Sequence, residues 1–167
     1  MGFETNIIEV FDKFRDLTAR EMTKAVKRAI NKAASTLKAN TLSELHATGI
    51  NIGVNQKYSD TLDEGVRMRK AGGNYDEEIY SVVHIMGSRA SGSGTFRLRF
   101  FEGGTKDRYQ TKINGVELKK PRYIGNIKPY RFFQSANSTI ESQLDAIYME
   151  EIDKAIQKIN NNKWYIQ

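Results

Sequence analysis

The sequence predicts an α+β chain: a long N-terminal helix, a three- to four-stranded antiparallel sheet, and a C-terminal helix packed on one sheet face. Three observations carry this. Apolar residues recur at gaps of three and four over residues 5–47. Apolar and polar residues alternate over 61–70, 78–86 and 95–102. Helical spacing then returns from Pro129 or Phe132 to about Asn160. The chain of 167 residues is read as a single domain over 1–167, long enough to bury one core.

In the first helix, Ile7, Val10, Phe14, Leu17, Met22, Ala29, Ala33 and Leu37 lie along one stripe. Thr5 or Asn6 can cap its start, because either side chain accepts from the open amides of a first turn. Gly49 is the expected stop. A helix of this length is expected to kink or break, at Thr18 or over Thr36 to Thr41. The alanines at 25, 29, 33 and 34 permit close approach of another element, as core packing or as a groove for a partner helix.

Leu62, Glu64, Val66 and Met68 alternate with Asp63, Gly65, Arg67 and Arg69, which predicts a strand. Gly72-Gly73-Asn74 is a turn signal, and Glu78 to Met86 reads as the antiparallel partner strand. The Ser/Gly-rich segment 87–94 reads as a flexible loop. Thr95 to Glu102 reads as a third strand, with Phe96, Leu98 and Phe100 on one face. Residues 105–128 form a long basic excursion. Within it, Asn114-Gly115 between 109–113 and 116–120 predicts a protruding hairpin, because both turn positions tolerate positive φ. In the last helix, Ile140, Leu144, Ile147, Ile152, Ala155 and Ile159 keep the helical spacing. Asn160-Asn161-Asn162 ends it, and Trp164-Tyr165-Ile166 is an apolar tail that folds back on the core or docks on a partner.

The net charge is +6, and its placement is uneven. Residues 89–131 hold eleven Lys or Arg against three acids, a local excess of +8, so the rest of the chain is slightly acidic. Such a patch suits either an acidic protein partner or nucleic-acid phosphate. The chain contains no recognised nucleic-acid module. It also has no cysteine, which excludes disulfides and thiolate metal sites. No apolar run approaches the roughly 18 residues of a membrane span. Met1 to Asn6 lacks the basic-then-apolar order of a secretory signal.

Candidates for chemistry are sparse. His46 and His84 lack a second ligand at metal-binding spacing. The acid pairs Asp63/Glu64, Glu77/Glu78 and Glu150/Glu151 are adjacent in sequence, which suits a solvated face more than acid–base work. Asn74, Asp76 and Glu78 lack the twelve-residue calcium-loop pattern. Ser91-Gly92-Ser93-Gly94 lacks the Lys of a phosphate-binding loop, and no nucleophile elbow is present. No catalytic, cofactor or metal residues are assigned, and the chain is expected not to be an enzyme. Glu102, an acid between Phe101 and Gly103, is expected either to pair with an Arg of a neighbouring subunit or to accept from Arg97, Arg99 or nearby backbone amides.

Three segments carry a resemblance. They are Ala25-Val26-Lys27-Arg28-Ala29-Ile30-Asn31-Lys32-Ala33-Ala34, Phe101-Glu102-Gly103-Gly104-Thr105, and Pro129-Tyr130-Arg131-Phe132-Phe133-Gln134-Ser135-Ala136. In that order they resemble the phage tail-component family, the lambdoid gene-product-ten-like tail-completion and head–tail joining proteins. They are similar, respectively, to its alanine- and base-rich first helix, its aromatic-x-Glu-x-Gly-Thr segment, and its Pro-Phe-x-x-Pro-Ala approach to the last helix. The sequence departs from the family at the second proline, where Gln134 or Ser135 stands, and at Ser59 to Val66, where the family often has Thr-Gly-x-Leu. The resemblance implies a structural virion protein that forms a ring oligomer with itself and meets other phage neck or tail proteins, with DNA passing through the ring. It implies residence in the virion, and in the host bacterial cytoplasm during assembly, with no cofactor and no membrane. On this basis the 87–94 loop and the 105–128 excursion are assigned to contacts, and Arg108, Lys112, Lys119, Lys120, Arg122 and Glu102 to the assembly interface. The alternative is a basic nucleic-acid-binding accessory protein, with Tyr109, Tyr123 and Tyr130 as stacking surfaces.

Overall fold

Helix α1 spans Ala19–Ala47 without interruption, so the break expected at Thr36 to Thr41 is absent. The computed structural model describes residues 19–53, 58–72, 78–85, 87 and 93–163. The expected cap at Thr5 or Asn6, the kink at Thr18, the turn at 73–74, Asn74 and Asp76 of the acid cluster, most of the 87–94 loop and the 164–166 tail lie outside those residues. After α1 come β1 (Arg67–Arg69), β2 (Val82–His84), α2 (Leu98–Gly103), β3 (Arg108–Ile113), β4 (Val116–Gly125), α3 (Phe132–Glu141) and α4 (Leu144–Lys163). The fold is α+β, with a long N-terminal helix and two two-stranded antiparallel sheets, β1-β2 and β3-β4.

The described residues divide into two compact units, one drawn from those up to 40, those between 68 and 83 and those from 138 on, the other from those between 41 and 67 and between 84 and 137. In the first unit, α4 and the end of α3 pack on α1. Ala33, Ile140 and Ile147 form the buried cluster, flanked by Leu37 and Leu144. Ala25, Ala29 and Ala34 are buried too, so the alanine stripe serves core packing. A small side chain at each of these positions lets a second backbone approach closely. Asn31 Oδ1 accepts from the Ala71 amide at 2.8 Å, which ties the chain beyond β1 to this helix. The C-terminal helix is thus covered by α1 rather than by a sheet face. It also breaks once, at Ser142-Gln143, where the Gln143 amide donates to Ile140 O at 2.9 Å.

In the second unit, Leu45, Leu62, Val66, Leu98 and Phe132 form the core, all at or below 1% exposure. Each such side chain contributes about 1.5–3 kcal/mol by leaving water. Gly49, with φ +70°, follows the end of α1 as expected, and the Thr48 hydroxyl caps Leu45 O at 2.6 Å. His46 donates from Nε2 to both Asp63 carboxylate oxygens, at 2.8 and 3.0 Å, joining the helix end to a 3-10 turn at Asp63–Gly65. At its start, Glu64 Oε1 accepts from both the amide and the hydroxyl of Thr61 at 3.2 Å. The strand expected over 61–70 therefore shrinks to 67–69. Local caps take up the polar backbone groups that a longer ladder would have satisfied.

The third expected strand is a helix. Thr95–Arg97 forms a 3-10 turn that runs into α2, so the sheet never reaches three or four strands among the described residues. A short apolar run fits both periods, and packing decides. Leu98 is buried and Phe101, three residues on, packs against the same core, whereas alternation would have placed them on opposite faces. Phe96 and Phe100, four residues apart, meet edge to face at 6.2 Å. Asp60 fixes the start of this segment by accepting from the Ser93 hydroxyl and from the Gly94 amide. Those hydrogen bonds, Gly94 first, hold its carboxyl below the ordinary carboxylate range.

Candidate assembly surface

The basic excursion is a hairpin on a closed base. At the base, Glu102 turns its carboxylate onto the first turn of α3. Oε2 accepts from the Phe133 amide at 2.8 Å and Oε1 from the Gln134 amide at 3.0 Å. Arg131, just ahead of this helix, has no acceptor side chain to satisfy those amides. Glu102 does the work of an N-cap residue from about thirty positions upstream, and its negative charge suits the helix N-terminus. The backbone closes around it: the Tyr130 amide donates to Phe101 O at 2.8 Å and the Arg131 amide to Glu102 O at 3.3 Å. The rings of Phe101 and Tyr130 meet edge to face at 6.4 Å. One rung further out, the Thr105 amide donates to Ile127 O, and the Ile127 amide donates back to the Thr105 hydroxyl, both at 2.9 Å.

Two backbone positions permit this closure. Gly104 has φ +71°, and a Cβ there would meet Ile127 O at 2.8 Å and Pro129 Cδ at 2.9 Å. Arg131 has φ +54°, a left-handed conformation that costs a non-glycine residue roughly 1–2 kcal/mol. The capped helix and the paired strands on either side offset that cost.

From this base the hairpin extends to the turn at Asn114-Gly115, whose φ values of +47° and +82° are those a two-residue hairpin needs. The predicted hairpin is present, and β4 runs on to Gly125. Pairing is Tyr109 with Tyr123, Gln110 with Arg122, Lys112 with Glu117 and Ile113 with Val116. Between Gln110 and Lys112, β3 advances two residues while β4 advances five, so Leu118 to Pro121 forms an irregular bulge. Pro121 has no amide to give to a ladder, which suits that place. The bulge lifts Lys119 and Lys120 out of register, and both are exposed.

The two faces of the hairpin differ. Tyr109, Thr111, Ile113, Val116 and Tyr123 share one face, and Gln110, Lys112, Glu117 and Arg122 the other. The first face is largely apolar yet uncovered: Tyr109 is 57%, Tyr123 52% and Val116 69% exposed. The two tyrosine rings lie 5.4 Å apart. The Tyr123 hydroxyl donates to Asp107 at 3.2 Å, and this bond to a carboxylate raises its pKa. An isolated two-stranded hairpin is marginal in water, and among the described residues no third strand joins this one.

Of the residues assigned from sequence to the interface, Arg108, Lys112, Lys119, Lys120 and Arg122 all lie on this hairpin and all are exposed. Lys112 pairs with Glu117 at 3.1 Å, and Arg108 Nε donates to Gly125 O at 3.3 Å. Glu102 stands apart from them, because its carboxylate is engaged by α3. Of the alternatives for Glu102, acceptance from backbone amides is the one observed. The donors lie far along the chain, and no sequence pattern marks a cap supplied at that distance. Sequence reasoning also missed the Thr105–Ile127 closure and the bulge, although Pro121 is a signal for the latter.

Elsewhere, chemistry-bearing groups stay dispersed. Among the described residues, no three His, Cys, Asp or Glu side chains are gathered as a metal site. No helix among them is long and apolar enough to cross a membrane. No family model, curated protein or solved structure matches this chain.

Proposed function

We propose that this chain is a structural assembly protein of a tailed bacteriophage or prophage, a tail-completion or head–tail joining component that forms a ring. One observation supports it most. Phe101 to Thr105 and Pro129 to Ala136, two of the segments that resemble the phage tail-component family, meet as the base that holds the hairpin. What this base presents is an uncovered apolar face and a row of cations, a surface suited to docking rather than to catalysis. Its partners are further copies of the chain and other neck or tail proteins, with DNA passing through the ring. The virion is its location, and the host cytoplasm its place of assembly.

The test is deletion of the gene in its phage or prophage, with lysates viewed by electron microscopy. Filled heads separate from finished or overlong tails are expected. Intact infectious particles would overturn the proposal. A basic nucleic-acid-binding accessory protein is the second reading. It is favoured by the exposed Tyr109–Tyr123 pair beside Arg108 and Arg122, which offers stacking next to phosphate-binding cations. Duplex or single-stranded binding that falls steeply with salt would move it to the front.

A further inference from the structure

The hairpin's occupant can be named by charge. Residues 106–128 hold seven Lys or Arg against two acids, a net +5. Residues 141–153, from the last residue of α3 into the middle of α4, hold five acids and no Lys or Arg, a net −5. Two of those acids, Glu150 and Glu151, are engaged by Lys154 just beyond the stretch, at 2.6 and 2.9 Å. Glu141 and Asp145 flank the Ser142-Gln143 corner, are exposed, and form no ion pair among the described residues. One chain thus carries both halves of a complementary pair, a basic bulge and an acidic corner.

We infer that the hairpin of one copy docks on the α3–α4 corner of a second copy, with Lys119, Lys120 and Arg122 facing Glu141 and Asp145. The contact uses different surfaces on the two copies. It is head-to-tail, and repetition closes a ring or extends a filament. This deepens the assembly function proposed above and rests on it.

A charge-swap mixing experiment tests the inference. Variant one carries Lys119→Glu, Lys120→Glu and Arg122→Glu. Variant two carries Glu141→Lys and Asp145→Lys, leaving the Lys154 pairs in place. Circular dichroism and thermal melts first establish that each variant is folded. Sedimentation velocity over a concentration series then reads association. The wild type is expected to self-associate, more weakly as salt rises. Each variant alone should dissociate at least about tenfold more readily, since like charges then face each other. An equal mixture should regain association, because both kinds of contact between the two variants join opposite charges. Two folded variants that stay monomeric when mixed would overturn the inference, as would a variant one that associates like the wild type. A wild-type chain that is monomeric at all concentrations, yet needed for joined particles, would also overturn it. That last result leaves the assembly function standing and makes another protein the occupant.

Discussion

The core of the second unit and the hairpin that leaves it are built from the same stretch of chain on opposite terms. Leu45, Leu62, Val66, Leu98 and Phe132 are fully covered, and the end of α1 and the start of α3 beside them are capped. In the hairpin, Tyr109, Val116 and Tyr123 are mostly exposed, and the two strands are held to each other and to the closed base at Thr105 and Ile127. The difference teaches where each region's energy resides. The core's is internal to the chain, while the hairpin's apolar surface gains stability only by being covered from outside. A fold that holds such a hairpin by its base can lose the hairpin's surface chemistry without losing its core.

Three substitutions press on this contrast. The largest effect is expected from Leu98→Ala in the core, a loss of about 2–5 kcal/mol by transfer and cavity terms together. Chemical denaturation measures it, and a loss below about 1 kcal/mol would show that α2 is not part of the core. Next comes Glu102→Ala at the base, with a loss of about 1–2 kcal/mol as the α3 amides lose their cap. Amide exchange at Phe133 and Gln134 should quicken in the same variant, and unchanged protection there would remove Glu102 from the capping role. The smallest stability effect is expected from replacing Arg108, Lys112, Lys119, Lys120 and Arg122 together by Ser, a net change below about 1 kcal/mol, because exposed substitutions change stability by small amounts of either sign. Assembly should weaken in that variant while the melt barely moves. Undiminished assembly would dissociate these cations from the surface. A collapse of the melt would show that the hairpin is part of the core after all.

Periodicity made the helices legible. The spacing from Ala25 to Leu37 and from Ile140 to Ala155 repeats over many turns, so one stripe alone can satisfy it. The hairpin turn was legible for a different reason: Asn114-Gly115 is a local backbone preference that needs no tertiary help. The basic residues of the candidate surface were legible because charge concentrated in a protruding segment has nowhere to be buried. The strand expected at 95–102 fails where the signal is short. Phe96 to Phe101 alternates like a strand, but Leu98 and Phe101 can share one core only as a helix.

The sequence by itself determined the long helices, the α+β class, the Asn-Gly hairpin and the basic excursion. These follow from patterns that repeat or from backbone preferences within a few residues. Only the tertiary structure decided that the pairing stays in two separate two-stranded sheets, that α4 lies on α1, and that Glu102 is a helix cap. Each of these depends on which distant groups meet. A carboxylate cannot reveal in sequence which of the chain's many open amides it will satisfy, and a six-residue segment with four apolar side chains takes the period that the core around it can bury.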